Sequence, residues 1–278
     1  MGGLVEGKRF LVTGILTQRS IAFHVARRLC AEGGEVVATG FGKGLRLTQR
    51  AVATLPTEVE VVELDVNDQR HLAALAERLA DRPLHGLLHG VAFAPQEALG
   101  GRFLWTAPEA AELAFRTSAF SLKALVEAAL PSLRAAGNAS VVALSFETNR
   151  AWLGYDWMGV AKAALESVAR YLACQLGPEG IRVNTVTAGP LQTPAASGIP
   201  GFEVLASRWQ REAPLGWNPE DPSPVADAVL FLLSDLARAI SGAILPVDGG
   251  FHALGGRLDA AADGRAAGQA PDPLPPAP

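Results

Sequence analysis

Short, nearly continuous apolar runs alternate with longer stretches of helical periodicity along most of this chain. The runs Phe10–Thr13, Val36–Thr39, Val59–Leu64, Gly86–Ala92, Ser140–Ser145, Arg182–Thr187 and Ala243–Val247 read as strands. A strand covered on both faces loses the in–out alternation of a half-exposed sheet, and most of these lack it. Between them, the patterns over Ile21–Glu32, Leu45–Ala53, Asp68–Ala80, Pro108–Ala135, Tyr155–Leu176 and Pro222–Ser234 predict helices. Gly33–Gly34 supplies a stop for the first, and Pro222 and Pro224 suit the start of the last. Alternation repeated this often predicts an α/β fold: a Rossmann-like, doubly wound parallel sheet of about seven strands with helices on both faces. Right-handed crossovers then put a ligand site at the carboxyl ends of the strands.

Length and composition bound the rest. The chain of 278 residues is 49% hydrophobic and 19% charged, so it can build a large core. A single domain is expected over residues 1–256. A disordered Ala/Pro-rich tail is expected over 257–278, where five of the last eight residues are proline. A net charge of −4 offers no basic field for nucleic acid or an anionic membrane surface. Two cysteines, Cys30 and Cys174, make no disulfide framework, and a cytoplasmic setting is expected. His85 and His89 stand four apart in a strand without a neighbouring carboxylate, so no metal site is expected.

The first strand runs into Thr13–Gly14–Ile15 and then a helix beginning near Ser20–Ile21. A dinucleotide turn needs close backbone approach to a pyrophosphate and free N–H groups at a helix start. Gly14 meets the first need and the Ser20 and Ile21 N–H groups the second, with Ser20 either an N-cap or a phosphate ligand. Only one glycine of a three-glycine fingerprint is present, so a plain strand-to-helix connection fits equally well. After the second strand, Phe41 can stack on an adenine, and no acid is there to take a ribose hydroxyl. Lys43 or Arg46 can meet a 2′-phosphate, which keeps NADPH open. Asp65–Val66, after the third strand, can hold an adenine amino group and ring; Asp65 can equally cap the helix from Asp68.

Tyr155 and Lys162 are seven apart, which puts them on one face of a helix two turns from each other. An ammonium there can hold a ribose and depress the pKa of a phenol, and a phenol can donate to a carbonyl that gains negative charge. An exposed lysine beside a packing tyrosine has the same spacing.

These motifs together resemble the enoyl-acyl-carrier-protein reductases of bacterial fatty-acid synthesis, a divergent branch of the short-chain dehydrogenase/reductase superfamily. The likeness runs from about Leu4 to Ala253. Ordinary members of the superfamily carry Tyr-x3-Lys; here Met158 stands four before Lys162, and the Tyr-x6-Lys pattern of the enoyl reductases is met by Tyr155 and Lys162. Gly14-x5-Ser20-Ile21, His89–Pro95, Ala188–Thr193 and Val247–Gly250 are similar to the same branch, and Ser20–His24 to its mycobacterial type. The resemblance implies reduction of a trans-2-enoyl thioester on acyl carrier protein by hydride from NADH. It gives catalytic roles to Tyr155, Lys162 and Phe146. It gives cofactor contacts to Gly14, Ile15, Ser20, Ile21, Phe41, Asp65, Val66, Val91, Ala92, Lys162, Gly189, Leu191 and Thr193. Substrate contacts fall to Ala94, Phe146, Tyr155 and Met158, and the assembly implied is a homotetramer.

The chain departs from the family in two places. Gly90–Val91–Ala92 replaces the usual Ser-Ile-Gly, adding a methyl at Ala92. The substrate loop, roughly residues 194–213, is shorter than in the mycobacterial type, which predicts a medium-chain substrate. Two other readings fit the same residues: a related reductase of a secondary-metabolite pathway, and a dinucleotide-binding protein without turnover.

Overall fold

The computed structural model describes residues 2–255. The expected tail, 257–278, lies outside them. Seven strands form one parallel sheet in the order β3-β2-β1-β4-β5-β6-β7. They are β1 (Arg9–Val12), β2 (Glu35–Gly40), β3 (Glu60–Glu63), β4 (Gly86–His89), β5 (Ser140–Ser145), β6 (Arg182–Ala188) and β7 (Ile244–Val247). Every strand pairs parallel to its neighbours, with Leu11 opposite Val37 on one side and Leu87 on the other. The order reverses between β1 and β4, which is where such sheets bind ligands.

The helices are α1 (Ile21–Ala31), α2 (Lys43–Val52), α3 (Gln69–Leu79), α4 (Pro108–Phe115), α5 (Ser121–Ala136), α6 (Asp156–Leu176), α7 (Phe202–Glu212) and α8 (Ser223–Leu233). Alternate residues of each strand feed two separate cores. Phe10, Val12, Leu88 and Val142 pack with α1, α2 and α8 on one face. Leu11, Leu87, Val141 and Val183 pack with α3, α5 and α6 on the other. That double coverage is why the central strands β1, β4, β5 and β6 are buried at every position. At one edge of the sheet, β3 has charged residues at both ends, Glu60 and Glu63, which blunts it against further pairing.

Local chemistry sets several ends. Asp68 accepts from the Arg70 N–H at 2.8 Å and caps α3. Gly137, at φ 68°, closes α5.

Three departures from the expected elements matter for the site. The stretch Pro108–Ala135, read as one helix, is broken by a π-helical turn over Arg116–Phe120. The run read as a strand to Ala92 ends at His89, freeing residues 90–95 as a loop. The segment 194–213, expected as a substrate loop, carries a helix of its own, α7, which the sequence did not announce.

Leu87 lies at the centre of the sheet with no solvent exposure. Leu87→Ala should lower the unfolding free energy by about 3 kcal/mol in urea denaturation, without changing the sheet order.

Candidate active site

A cleft of about 740 Å³ opens above the carboxyl ends of the strands, within the usual range of about 300–1,000 Å³ for small-molecule sites. Its floor is the switch point. Gly14 has φ 90°, and a side chain there would overlap the Gly90 carbonyl. A Cβ on Gly90 would in turn lie 2.5 Å from the Thr13 carbonyl oxygen. Thr13 fixes this approach: its hydroxyl donates to the Leu88 carbonyl at 2.9 Å and accepts from the Gly90 N–H at 3.1 Å. Glycine at both positions brings the ends of β1 and β4 together and leaves backbone exposed to a ligand.

The turn after Gly14 is wound around Ser20, whose Oγ accepts from the Leu16 and Thr17 N–H groups at 3.0 and 3.1 Å. Ser20 makes no cap bond to α1. Its own N–H, expected to be free, donates to the Thr17 carbonyl at 3.0 Å, because the turn tightens just before the helix. The Ile21 N–H, at the first helical position, has no carbonyl one turn back within the helix. Ser20 and Ile21 both line the cleft. Arg19 ties this turn to the loop after β6, donating from Nε and Nη2 to the Gln192 carbonyl at 3.2 and 3.0 Å.

Phe41, half exposed at the end of β2, lines the cleft with Asp65 and Val66. The open question about Asp65 is resolved by its bonds: Oδ1 accepts from the Asn67 N–H, and Asp68, not Asp65, caps α3. The Asp65 N–H donates to His71 Nδ1 at 2.9 Å, and Phe41 meets the His71 ring edge-on at 6.0 Å. Neither Lys43 nor Arg46 lines the cleft.

The other wall is carried by β5 and α6. Lys162 is 7% exposed and donates to the Leu144 carbonyl at 2.8 Å. An ammonium has three donors, so two remain for a ligand. Burial pulls its pKa down to about 8, against the opposing pull of Glu166. Tyr155, placed at the lip just before α6, has its pKa pushed well up by burial, so it is a neutral phenol. Phe146 meets the Tyr155 ring edge-on at 5.3 Å. Behind Phe146 lies a stack of Trp152, Trp209 and Phe251, with Trp209 and Phe251 face to face at 3.7 Å. Trp209 belongs to α7, so the segment 202–212 is pinned to this wall by aromatic packing.

The third wall is the loop after β4, with Val91 and Ala92 on the cleft, and the loop after β6, with Gly189, Leu191 and Thr193. A Cβ on Gly189 would meet the Trp217 ring at 2.7 Å. The Leu191 carbonyl accepts the Thr193 N–H at 2.8 Å, and Thr193 Oγ1 accepts from the Ala196 N–H at 3.2 Å, leaving its hydroxyl proton free. Of the residues expected at the site, Ala94 and Met158 do not line the cleft; Met158 is buried in α6.

Three hydroxyls from the π-turn region support these loops, and the sequence did not single them out. Ser118 both donates to the Phe93 carbonyl and accepts the Phe93 N–H, each at 2.9 Å. Thr117 accepts from Asn67 Nδ2 at 3.0 Å. Ser121 donates to the Thr117 carbonyl, so it accepts from His89 Nε2 at 2.8 Å. His89 is therefore the Nε2–H tautomer, and its burial, with the Lys162 charge second, drives its pKa down to about 3. Asp156 was missed as well. It is the one non-glycine residue with positive φ among those described, at 42°. Its carboxylate accepts from the Gly101 and Arg102 N–H groups at 2.6 and 3.1 Å, anchoring that loop beside Tyr155. Aspartate is one of the few side chains that tolerates the left-handed region, which was the available signal. No cluster of metal-ligating side chains occurs among the described residues. No described helix is long and apolar enough to cross a membrane.

A parallel sheet of this order, pinched by glycines at its switch point and faced by a phenol and an ammonium, defines a Rossmann-type dinucleotide-dependent oxidoreductase. A family model described as enoyl-(acyl carrier protein) reductase matches residues 14–252, and the chain belongs to that family. The enoyl-[acyl-carrier-protein] reductase [NADH] of Mycolicibacterium smegmatis is 41% identical over 266 residues, covering 90% of this chain and 98% of that one. The NADH enzyme of Bacillus cereus is 38% identical over 257 residues, covering 91% and 99%. A relative from Staphylococcus aureus, named for NADPH, is 35% identical over 255 residues, covering 90% and 98%.

Gly14→Ala should abolish dinucleotide affinity, lowering it at least a hundredfold by fluorescence titration, because the new methyl overlaps the Gly90 carbonyl at a φ that L side chains avoid.

Proposed function

We propose that this protein reduces the trans-2 double bond of an enoyl thioester carried on acyl carrier protein, using NADH, in fatty-acid synthesis. The observation that carries the reading is one cleft with the glycine-pinched turn at its floor and the Tyr155–Lys162 pair on its wall. The names borne by the mycobacterial and bacillus relatives support it.

The residues present fit a nicotinamide dinucleotide. Gly14, Ile15, Ser20 and Ile21 would hold the pyrophosphate, and Thr193 would add its hydroxyl from the opposite side. Phe41, Asp65 and Val66 would hold the adenine. Val91, Ala92, Gly189 and Leu191 would enclose the nicotinamide half. The absence of Lys43 and Arg46 from the cleft favours NADH over NADPH.

Bound NADH supplies the hydride that the β-carbon of the enoyl group accepts. Lys162, one of whose donors is taken by the Leu144 carbonyl, would offer its other two to the ribose hydroxyls of the cofactor and bring positive charge to that side of the cleft. Tyr155, held neutral by burial, donates to the thioester oxygen as that oxygen gains negative charge. A preorganised donor of this kind contributes about 3 kcal/mol to the transition state. Phe146 packs on Tyr155, restricts its ring and keeps water from the wall. Protonation at the α-carbon completes the reduction. Conjugation to the carbonyl is what lets the alkene take hydride, so an isolated alkene is no substrate.

Residues 194–213 act as the substrate loop of a single reductase domain. Ala195, Ala196, Ile199, Phe202 and Leu205 give the cleft an apolar end suited to a medium-length acyl chain. We place the enzyme in the cytoplasm as a homotetramer, since Phe115, Phe120, Val160 and Tyr171 leave apolar surface exposed along the α4–α5 and α6 layer.

Oxidation of NADH should proceed with 2-octenoyl thioester, faster than with a C20 enoyl thioester. Tyr155→Phe should lower kcat about a hundredfold with little change in NADH affinity, whereas Lys162→Ala should raise the Kd for NADH. Equal turnover of both chain lengths overturns the length assignment, and normal NADH binding by Lys162→Ala overturns the role of the lysine. Light scattering should give a mass near four times 29.0 kDa; a monomer mass removes the assembly.

A further inference from the structure

One buried carboxylate stands beside the reacting wall without a part in the chemistry above. Glu166 lies one helical turn beyond Lys162 on α6 and is 5% exposed. Its Oε1 accepts from the Ser145 hydroxyl at 2.9 Å and its Oε2 from the Thr148 hydroxyl at 2.7 Å. Ser145 is the last residue of β5, next to Leu144, whose carbonyl takes the Lys162 ammonium, and next to Phe146. Two consecutive residues of one strand are thus gripped by two charged side chains one turn apart on one helix.

We propose that Glu166 is a positioning residue for this reaction: its buried carboxylate keeps Lys162 in the ammonium form and clasps the end of β5 to α6. The proposal rests on the role of Lys162 given above. The Thr148 hydroxyl has Oε2 as its acceptor, and the Ser145 hydroxyl has Oε1 at 2.9 Å, nearer than its other acceptor, the Phe146 carbonyl at 3.3 Å, so both bonds suit an acceptor-only carboxylate. A negative charge one turn away, with little water between, favours the cation. An ammonium buried beside no counter-charge sheds its proton, and a neutral amine offers the ribose one donor fewer and no field.

The charged and titratable groups facing the pair are few. His89 on β4 is neutral throughout the physiological range. Tyr155 at the start of α6 is held as a phenol by burial. Glu147, after β5, and Arg170, on α6, face Glu166 with opposite signs. Burial pushes the Glu166 carboxyl up, and the hydroxyl bonds from Thr148 and Ser145, with the Arg170 charge, pull against that shift. Lys162 changes charge with a midpoint near 8 in the free enzyme. Its affinity for NADH is full below that midpoint and falls as pH rises through it.

The test is the pH dependence of the Kd for NADH, followed by nicotinamide fluorescence on the full chain. In the wild-type protein the Kd should be roughly tenfold weaker at pH 9 than at pH 7. Glu166→Gln should move the break down by about one pH unit, leaving the Kd unchanged at pH 6 and about fivefold weaker than wild type at pH 8. Glu166→Asp, which keeps the charge, should hold the break near its wild-type position. Should the glutamine variant not fold, Glu166→Met, which buries no polar group, gives the same reading. A break that stays put in the neutral variants, whatever their overall affinity, overturns the proposal, since a merely structural residue would weaken binding equally at every pH. Lys162→Ala separates the two claims. If it binds NADH normally the lysine reading fails; if it loses the break while the neutral variants keep theirs, only the role of Glu166 fails.

Discussion

The cleft depends on a close approach of two backbones. Where β1 and β4 end, the missing side chains of Gly14 and Gly90 let the Thr13–Gly14 and Gly90 peptides meet. Everything that makes the cleft follows from that meeting. It sets the floor at the one place where the strand order reverses, and the helix after Gly14 then aims its N-terminus across the gap. The opposing wall is useful only because the floor is open backbone. A side chain at either position would separate the strands and fill the space that the ligand needs.

The reacting wall is organised by burial rather than by surface charge. Tyr155, Lys162, His89 and Glu166 all sit where water is scarce, and burial acts on each in the same sense. The phenol and the carboxylate are pushed toward their neutral forms, as is the imidazole, while the ammonium is drawn toward its own. Hydroxyls from Thr117, Ser118 and Ser121 absorb the polar ends that such packing would otherwise orphan. They are presented together because the π-turn inserts one residue and rotates the helix face toward the loops after β3 and β4.

Much of this was legible in the sequence, for physical reasons that also mark where the reading stopped. Ser140–Ser145 is a strand with those bounds because both faces are covered, so the apolar run ends where the strand ends. Tyr155 and Lys162 share a wall because helical spacing is fixed by geometry. The π-turn was invisible because the run Pro108–Ala135 is rich in alanine, which fits either face of a helix and hides the shift in phase that one extra residue makes. The carbonyl bond that removes the Ser20 N–H from the cleft arises from turn geometry, and no residue type signals it. Glu166 reads as one more charge in a helix until the fold carries Ser145 and Thr148 to it.

The stack of Trp209 on Phe251 has a mechanical meaning. The indole N–H of Trp209 is buried without an acceptor, so no directional bond fixes that ring. Three rings, Phe146, Trp152 and Phe251, meet it instead, and many small dispersion contacts add up to a firm seat. The end of α7 is therefore held by shape and area, and no single polar contact decides whether it stays in place.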